Sequence, residues 1–227
     1  MPQPDLVIFD CDGVLVDSEV ISARMLIHEL AARNVAIDMD YVARHFLGRS
    51  YAVVLATIRR EFGVDLPDSF EAGYRQRLLD AFETGLKVMP GVAEAVARLR
   101  IPYCLASSSS PQRVRRSLEI AGLDAAFAGR ITTAAEVAHG KPAPDLFLRA
   151  AEKMGAAPVR CLVIEDSLMG VRAGLAAGMT VWRFTGGSHM AGRAIETPDD
   201  ARAHREFANF ADFFMSDLLS DQQDATG

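Results

Sequence analysis

Val7-Ile8-Phe9-Asp10-Cys11-Asp12-Gly13-Val14-Leu15-Val16-Asp17-Ser18 is the stretch from which the fold is read. Its apolar run, Leu6 to Phe9, is short enough to be a strand buried on both faces. Two carboxylates follow one residue apart, and then a glycine. Alternate side chains of a strand point the same way, which puts Asp10 and Asp12 together just past its end. In an open α/β sheet that end is where ligands bind. Like charges held so close repel unless a cation or a shared proton compensates them. The pair therefore points to a hard metal such as Mg²⁺, which takes oxygen ligands, or to a nucleophile beside an acid/base. Asp and Gly are also common turn residues, so D-x-D-G alone leaves a solvated turn equally open.

The chain around this stretch has 227 residues, half of them hydrophobic, enough for one sizeable core or a core plus a smaller domain. Its formal net charge is −6 and its acids and bases are interspersed, which argues against a dedicated nucleic-acid surface. Three cysteines without C-x-x-C spacing fit a reducing compartment, and neither a disulfide framework nor a zinc site. Cys104 and Cys161 lie in apolar runs and read as core; Cys11, between the aspartates, reads as packing on the opposite side. A core strand begins within five residues of the first, so no signal peptide is expected. No apolar run approaches the ~20 residues of a membrane span. The expectation is a cytoplasmic protein, a monomer or weak homo-oligomer, with no nucleic-acid or membrane partner.

After Ser18 the pattern turns helical and stays so for about seventy residues. Ile21, Met25, Leu26, Leu30 and Ala31 share a face; a segment around Met39 to Phe46 follows, broken by Leu47-Gly48-Arg49. Ser50 can cap the next helix, which Gly63 stops, and a further helix ends near Gly85. Nothing here resembles a strand, so residues 18–87 read as a helical bundle inserted into an α/β domain. From Pro90 strand and helix alternate, the mark of a parallel sheet with crossover helices. Strands are expected at Tyr103 to Ala106, near Ile131, at Cys161 to Ile164 and at Thr180 to Phe184, with helices from Pro90, Pro111 and Pro144. Gly170 and Gly174 share one helical face, small enough for close approach. Gly186-Gly187 marks a loop, Thr197 to Leu219 reads as helix-forming with Phe207, Phe210, Phe213 and Phe214 on the core, and residues 221–227 as a frayed end.

Three of the later apolar segments deliver polar residues to the sheet's ligand edge. Ser107 to Ser110 precede a helix, where hydroxyls and free N–H groups can hold a phosphate or simply form an N-cap. Lys141 lies in K-P-A-P-D, where Pro142 and Pro144 fix the backbone around it, although lone lysines are usually just solvated. Glu165-Asp166 end a buried strand, where acids are costly unless hydrated, paired or metal-bound; a helix cap with Ser167 is the alternative.

Taken together, DxDGVLVDS, Leu105-Ala106-Ser107, K-P-x-P-D at Lys141 and E-D-S-x-x-G at Glu165 to Gly170 resemble, in order, the four motifs of the haloacid dehalogenase-like hydrolases. The wording is that of the β-phosphoglucomutase-like and sugar-phosphatase branch. The resemblance implies a Rossmann-like core of residues 1–17 and 88–227, with 18–87 as a helical cap. It makes Asp10 a nucleophile that becomes phosphorylated and Asp12 the general acid and then base, which calls for a pKa above an ordinary aspartate's. Ser107, with Ser108, binds the transferring phosphate, and Lys141 stabilises the Asp10 carboxylate and the phosphoryl oxygens. Mg²⁺ is implied, held by Asp10, Asp166, Glu165 directly or through water, and the Asp12 backbone carbonyl. Gly48-Arg49-Ser50 resembles the cap loop that branch members point at the substrate. Mutases of the branch carry a histidine where this chain has Ser22, and His28 lies too far along, which favours hydrolysis. The implied activity is phosphatase action on a small phosphorylated metabolite of sugar-phosphate or phosphogluconate type. A sugar-phosphate mutase is the alternative, with dehalogenation and a catalytically silent phosphometabolite-binding module behind it.

Overall fold

In the computed structural model, which describes residues 3–192 and 196–213, the run Leu6–Phe9 is a strand, β1, buried along its whole length. It lies near the middle of a six-stranded sheet. The other strands are β2 (Tyr103–Ser107), β3 (Ile131–Thr133), β4 (Cys161–Glu165), β5 (Thr180–Phe184) and β6 (Arg205–Phe207). Their spatial order is β3-β2-β1-β4-β5-β6, and every pairing is parallel. The order reverses between β1 and β4, the crevice where such sheets bind ligands. Phe9 pairs with Leu105 on one side and Ile164 on the other. The loops after β1, β2 and β4 therefore leave the sheet side by side.

Alternation along β1 divides the core. Val7 and Phe9 face one apolar cluster with Leu105, Ile164 and Trp182, while Leu6 and Ile8 face another with Cys104, Val163 and Val181. The first is covered by α5 (Val92–Arg98), α6 (Pro111–Ala121) and a short α7 (Asp124–Phe127), the second by α8 (Asp145–Met154) and α9 (Leu168–Ala176). This two-sided burial is why the strands carry unbroken apolar runs. All three cysteines are buried and free, Cys11 in the first cluster and Cys104 and Cys161 in the second.

Between β1 and α5 the chain forms α1 (Glu19–Ala31), α2 (Met39–His45), α3 (Tyr51–Phe62) and α4 (Asp68–Gly85). These share an apolar cluster of their own, with Leu26, Leu30, Ile58, Phe70 and Phe82 buried. The chain leaves and re-enters the sheet layer at one place, where Val16 and Val88 form an antiparallel bridge and Asp17 N–H donates to the Lys87 carbonyl at 2.9 Å. Ser50 stands at the N-cap of α3, although its hydroxyl makes no capping bond there. Ser110, before Pro111, does cap α6, and Gly122 closes it in the left-handed region.

The segment beyond Thr197 departs from expectation. Within the described residues it is not a helix: a short 3₁₀ turn, strand β6 and a second 3₁₀ turn replace it. The phenylalanine spacing comes from a side cluster instead. Phe207, Phe210 and Phe213 pack on one another, with Phe207 and Phe213 against Trp182 and Phe207 and Phe210 against Phe184. Phe214 and the readings beyond it, including the end at 221–227, lie outside the described residues. No described helix is long and apolar enough to cross a membrane.

Candidate active site

The end of β1 delivers Asp10, nearly buried, onto the side chain of Lys141. Lys141 Nζ lies 2.6 Å from Asp10 Oδ1 and 2.7 Å from Glu165 Oε1, and is itself 2% exposed. Its stem runs past Phe147, whose ring centre is 4.9 Å from Nζ. Two buried carboxylates and one buried ammonium thus share a site. Their charges hold the Lys141 pKa above its ordinary value even though burial opposes it. Glu165, at the end of β4, also takes hydrogen bonds from Ser167 N–H at 2.6 Å and Ser167 Oγ at 3.0 Å. Ser167 Oγ in turn caps α9 by accepting from Gly170 N–H at 3.0 Å.

Glu165 leaves no room at Gly170. A Cβ there would stand 1.7 Å from Glu165 Oε1 and 1.9 Å from its Cδ. Because Glu165 is fully buried and tied to Lys141, it has nowhere to retreat. Gly170→Ala is expected to cost about 3 kcal/mol, roughly 10 °C in Tm for a chain of this size, as read by thermal denaturation. An unchanged Tm would show that the Glu165 side chain is not held as described.

Asp10, Glu165 and Asp166 each offer a carboxylate oxygen within 4.8 Å of the others, all buried. Burial and the neighbouring carboxylates push the Asp10 pKa well up despite Lys141, and burial with Glu165 does the same to Asp166. Asp166 Oδ2 is buried and accepts no aligned hydrogen bond. An all-oxygen set of three buried carboxylates, with one lysine to offset them, fits a hard divalent cation such as Mg²⁺.

The carboxylate of Asp12 lies outside that cluster. Its Oδ1 accepts from Ser18 Oγ at 2.5 Å and Arg113 Nη2 at 2.6 Å, and its Oδ2 from Ser109 Oγ at 2.6 Å. The expected ligand set takes Asp12 through its backbone carbonyl, and its carboxylate is engaged by these three side chains instead. The expectation of a raised Asp12 pKa is also corrected here. Burial does push it up, but Arg113 and the two hydroxyls outweigh burial and hold it below the ordinary value.

Arg113 is a site residue that the sequence does not single out, and Ser109 enters there only as part of the run from Ser107 to Ser110. Arg113 sits in the first turn of α6, where the serine run drew attention only to hydroxyls. Its guanidinium also donates to Ser22 Oγ at 2.9 Å and stacks over the Phe82 ring at 5.3 Å, so it ties the sheet edge to α1 and α4. The expected serines have separate duties. Ser107 Oγ accepts from Ser109 N–H at 3.0 Å, and Ser108 Oγ donates to the Gly48 carbonyl at 3.0 Å.

Gly48 is where the helical layer meets the sheet edge. Its φ is +73°, and a Cβ there would lie 2.2 Å from Ser167 Oγ, so both its conformation and its packing demand glycine. The turn brings Gly48, Arg49 and Ser50 over a cavity of about 530 Å³ that also reaches Asp10, Asp12, Ser107, Ser108 and Lys141. From the helical side come Tyr51, Tyr74, Arg75 and Glu19. Tyr51 stacks on Tyr74 at 5.2 Å, and its buried hydroxyl has no hydrogen-bond partner. Glu19 is pushed up to about 8, mainly by burial and then by the Asp12 charge.

The parallel sheet's strand ends bring acidic side chains to a buried lysine beside one cavity, an arrangement suited to the hydrolysis of phosphoric monoesters. The chain belongs to the haloacid dehalogenase-like hydrolases, whose family model matches residues 4–178. It is 27% identical to 6-phosphogluconate phosphatase of Escherichia coli K12 over 190 residues, covering 83% of this chain and 86% of that one. It is 34% identical to hexitol phosphatase A of the same organism over 182 residues, with 77% and 80% covered. Among solved structures, a HAD family hydrolase from Deinococcus radiodurans R1 with bound phosphate and sodium matches with a TM-score of 0.71 at 33% identity, covering 98% of this chain and 97% of that one.

Proposed function

We propose that this chain is a Mg²⁺-dependent phosphatase of a small phosphorylated metabolite, of sugar-phosphate or phosphogluconate type, acting through an aspartyl-phosphate on Asp10. The observation that carries the reading is the Asp10 carboxylate. It touches Lys141, belongs to the Asp10–Glu165–Asp166 cluster and opens on the cavity. Asp10 attacks phosphorus, so an Asp10–phosphorus bond forms as the ester bond breaks, and Asp12 gives a proton to the departing oxygen. Water then loses a proton to Asp12 and attacks phosphorus, releasing inorganic phosphate and restoring the Asp10 carboxylate. Lys141 neutralises charge on Asp10 and on the phosphoryl oxygens throughout, and Ser107 and Ser108 hold those oxygens. Asp10, Asp166, Glu165 and the Asp12 carbonyl would hold Mg²⁺, which would supply charge neutralisation for the nucleophile and the phosphate.

Residues 1–17 and 88–227 form the catalytic core in this reading, and 18–87 the cap that excludes water and selects the substrate through Gly48, Arg49 and Ser50. The single crossing at Val16 and Val88 supports that division. A cavity of about 530 Å³ has the size of a small-metabolite site. The Asp12 arrangement supports the second half-reaction as drawn, since a carboxylate held ionised is a base. The acid step needs Arg113 to release it. Ser22, bonded to Arg113 and to the Ser18 carbonyl, offers no imidazole for phosphoryl retention, which supports hydrolysis over the mutase reading. Buried free thiols accord with a cytoplasmic location, without nucleic-acid or membrane partners, as monomer or weak homo-oligomer.

The test is phosphate release across β-glucose 1-phosphate, glucose 6-phosphate, 6-phosphogluconate, hexitol phosphates and phosphoglycolate, after EDTA treatment and after Mg²⁺ is restored. Release confined to the Mg²⁺ arm and concentrated on one compound is expected. Conversion of glucose 1-phosphate to the 6-phosphate without release would overturn the hydrolase reading, and undiminished release in EDTA would overturn the metal.

A further inference from the structure

His189 lies in the turn after β5, in the loop Gly186-Gly187-Ser188-His189, and is 6% exposed. Its Nε2 stands 2.9 Å from Asp166 Oδ2, a buried contact in which the N–H is not aligned on the oxygen. The contact is built from both sides. A Cβ on Gly13 would come within 2.0 Å of Asp166 Oδ2 and 3.1 Å of His189 Cε1. A Cβ on Gly187 would come within 2.6 Å of His189 Cε1. Both positions are glycine, and the imidazole fills the space they leave. The turn is also anchored, since Asp17 Oδ1 accepts from Ser188 N–H at 3.1 Å and Ser188 Oγ at 2.8 Å. From the same strand, Arg183 Nε donates to the Asp166 carbonyl at 3.0 Å. β5 and its turn therefore meet Asp166 twice, by a hydrogen bond to its main chain and by the imidazole packed against its carboxylate.

Other carboxylates of the cluster are held differently. Glu165 is fixed by Lys141 and Ser167, and Asp10 by Lys141. At Asp166 Oδ2 the side chain at contact distance is His189. A carboxylate free to rotate about its Cβ–Cγ bond would pay ordering entropy on meeting a cation, and groups behind metal ligands commonly remove that cost. We propose that His189 is a positioning residue, which holds the Asp166 carboxylate for the divalent cation through the 2.9 Å contact of Nε2 with Oδ2, a small turn of the ring aligning Nε2–H on that oxygen when the cation is bound. The inference rests on the metal site proposed above. It needs only a neutral imidazole with its proton on Nε2.

The experiment is direct binding of Mn²⁺ to the full chain, free Mn²⁺ being read by electron paramagnetic resonance, with no substrate present. His189→Ala is expected to weaken Mn²⁺ binding by about 10- to 100-fold. His189→Gln, whose amide offers a donor, is expected to recover most of the affinity. His189→Phe, which keeps a ring in the space without a donor, is expected to bind as poorly as His189→Ala, and it serves if the alanine variant does not fold. Melting temperatures in EDTA separate loss of the fold from loss of the donor. If His189→Phe folds and binds Mn²⁺ as tightly as the parent, or if the glutamine variant is as weak as phenylalanine, the inference is overturned while the metal site stands. A parent that binds no Mn²⁺, or an Asp166→Asn variant that binds it undiminished, would overturn the metal site and this inference with it.

Discussion

Asp10→Asn is expected to lower phosphate release by roughly 10⁴-fold or more while leaving the protein folded. The amide oxygen is far less nucleophilic than a carboxylate oxygen, and no other described carboxylate takes its place beside Lys141 in the cavity. Glu165 Oε1 also touches Lys141, but its other oxygen is committed to Ser167. Asp166 faces His189. Folding is expected to survive because the substitution removes a charge from a place that resists it. Burial and three neighbouring carboxylates raise the Asp10 pKa. A neutral isostere therefore relieves repulsion, and Lys141 keeps Glu165 as a partner. In EDTA the variant is expected to melt no lower than the parent. Steady-state release and thermal denaturation of the same preparation check both halves. Near-parental, Mg²⁺-dependent release from pure Asp10→Asn would falsify the nucleophile assignment.

Lys141→Met should be damaging in the opposite pattern, hurting both fold and rate. Methionine follows the lysine stem past Phe147 but leaves Asp10 and Glu165, both nearly or fully buried, without their cation. Breaking a buried pair from one side costs about 3–5 kcal/mol, since the remaining charges stay desolvated. The rate is expected to fall by about 10²- to 10³-fold, the usual effect of losing one group that stabilises transition-state charge. The two effects can be separated with Mg²⁺. A divalent cation on the crowded carboxylates would replace part of the missing charge, so Mg²⁺ should raise the Tm of Lys141→Met by more than it raises the parent's. It cannot restore the donor to the phosphoryl oxygens, so the rate should stay low. A variant as stable as the parent in EDTA would mean that the two ion pairs do not hold this site together.

Most of what builds the sheet could be read locally. β1, β2 and β4 are largely apolar runs because both faces are covered; β1 and β2 end in polar residues that line the cavity, and β4 in the carboxylates that meet Lys141 and Asp10. β6 was missed for a physical reason. Arg205-Glu206-Phe207 is a short edge strand carrying two charges, and its neighbouring phenylalanines, three apart, mimic a helical face while serving an aromatic cluster. Asp10, Lys141, Glu165 and Asp166 could be found because each lies in a compact motif. Arg113 and His189 could not be found that way. Their partners, Asp12 and Asp166, sit on other strand ends, and the pairing exists only once β1, β2, β4 and β5 are side by side. The same holds for the Asp12 pKa. A role in acid catalysis predicts a raised value, but three donors from three segments set it the other way.

The two outermost strands, β3 and β6, are only three residues long, and two of the three in β6 are charged. An exposed strand edge is a template on which another chain can extend a sheet, and length and flatness are what make it sticky. Here neither end offers much of a template: three residues at about 3.3 Å each give roughly 10 Å of pairing surface. The long, strongly apolar strands that would aggregate if left open are the inner ones, each already paired on both sides. The fold therefore carries its own protection against edge-to-edge growth into fibres, independent of anything the catalytic residues do.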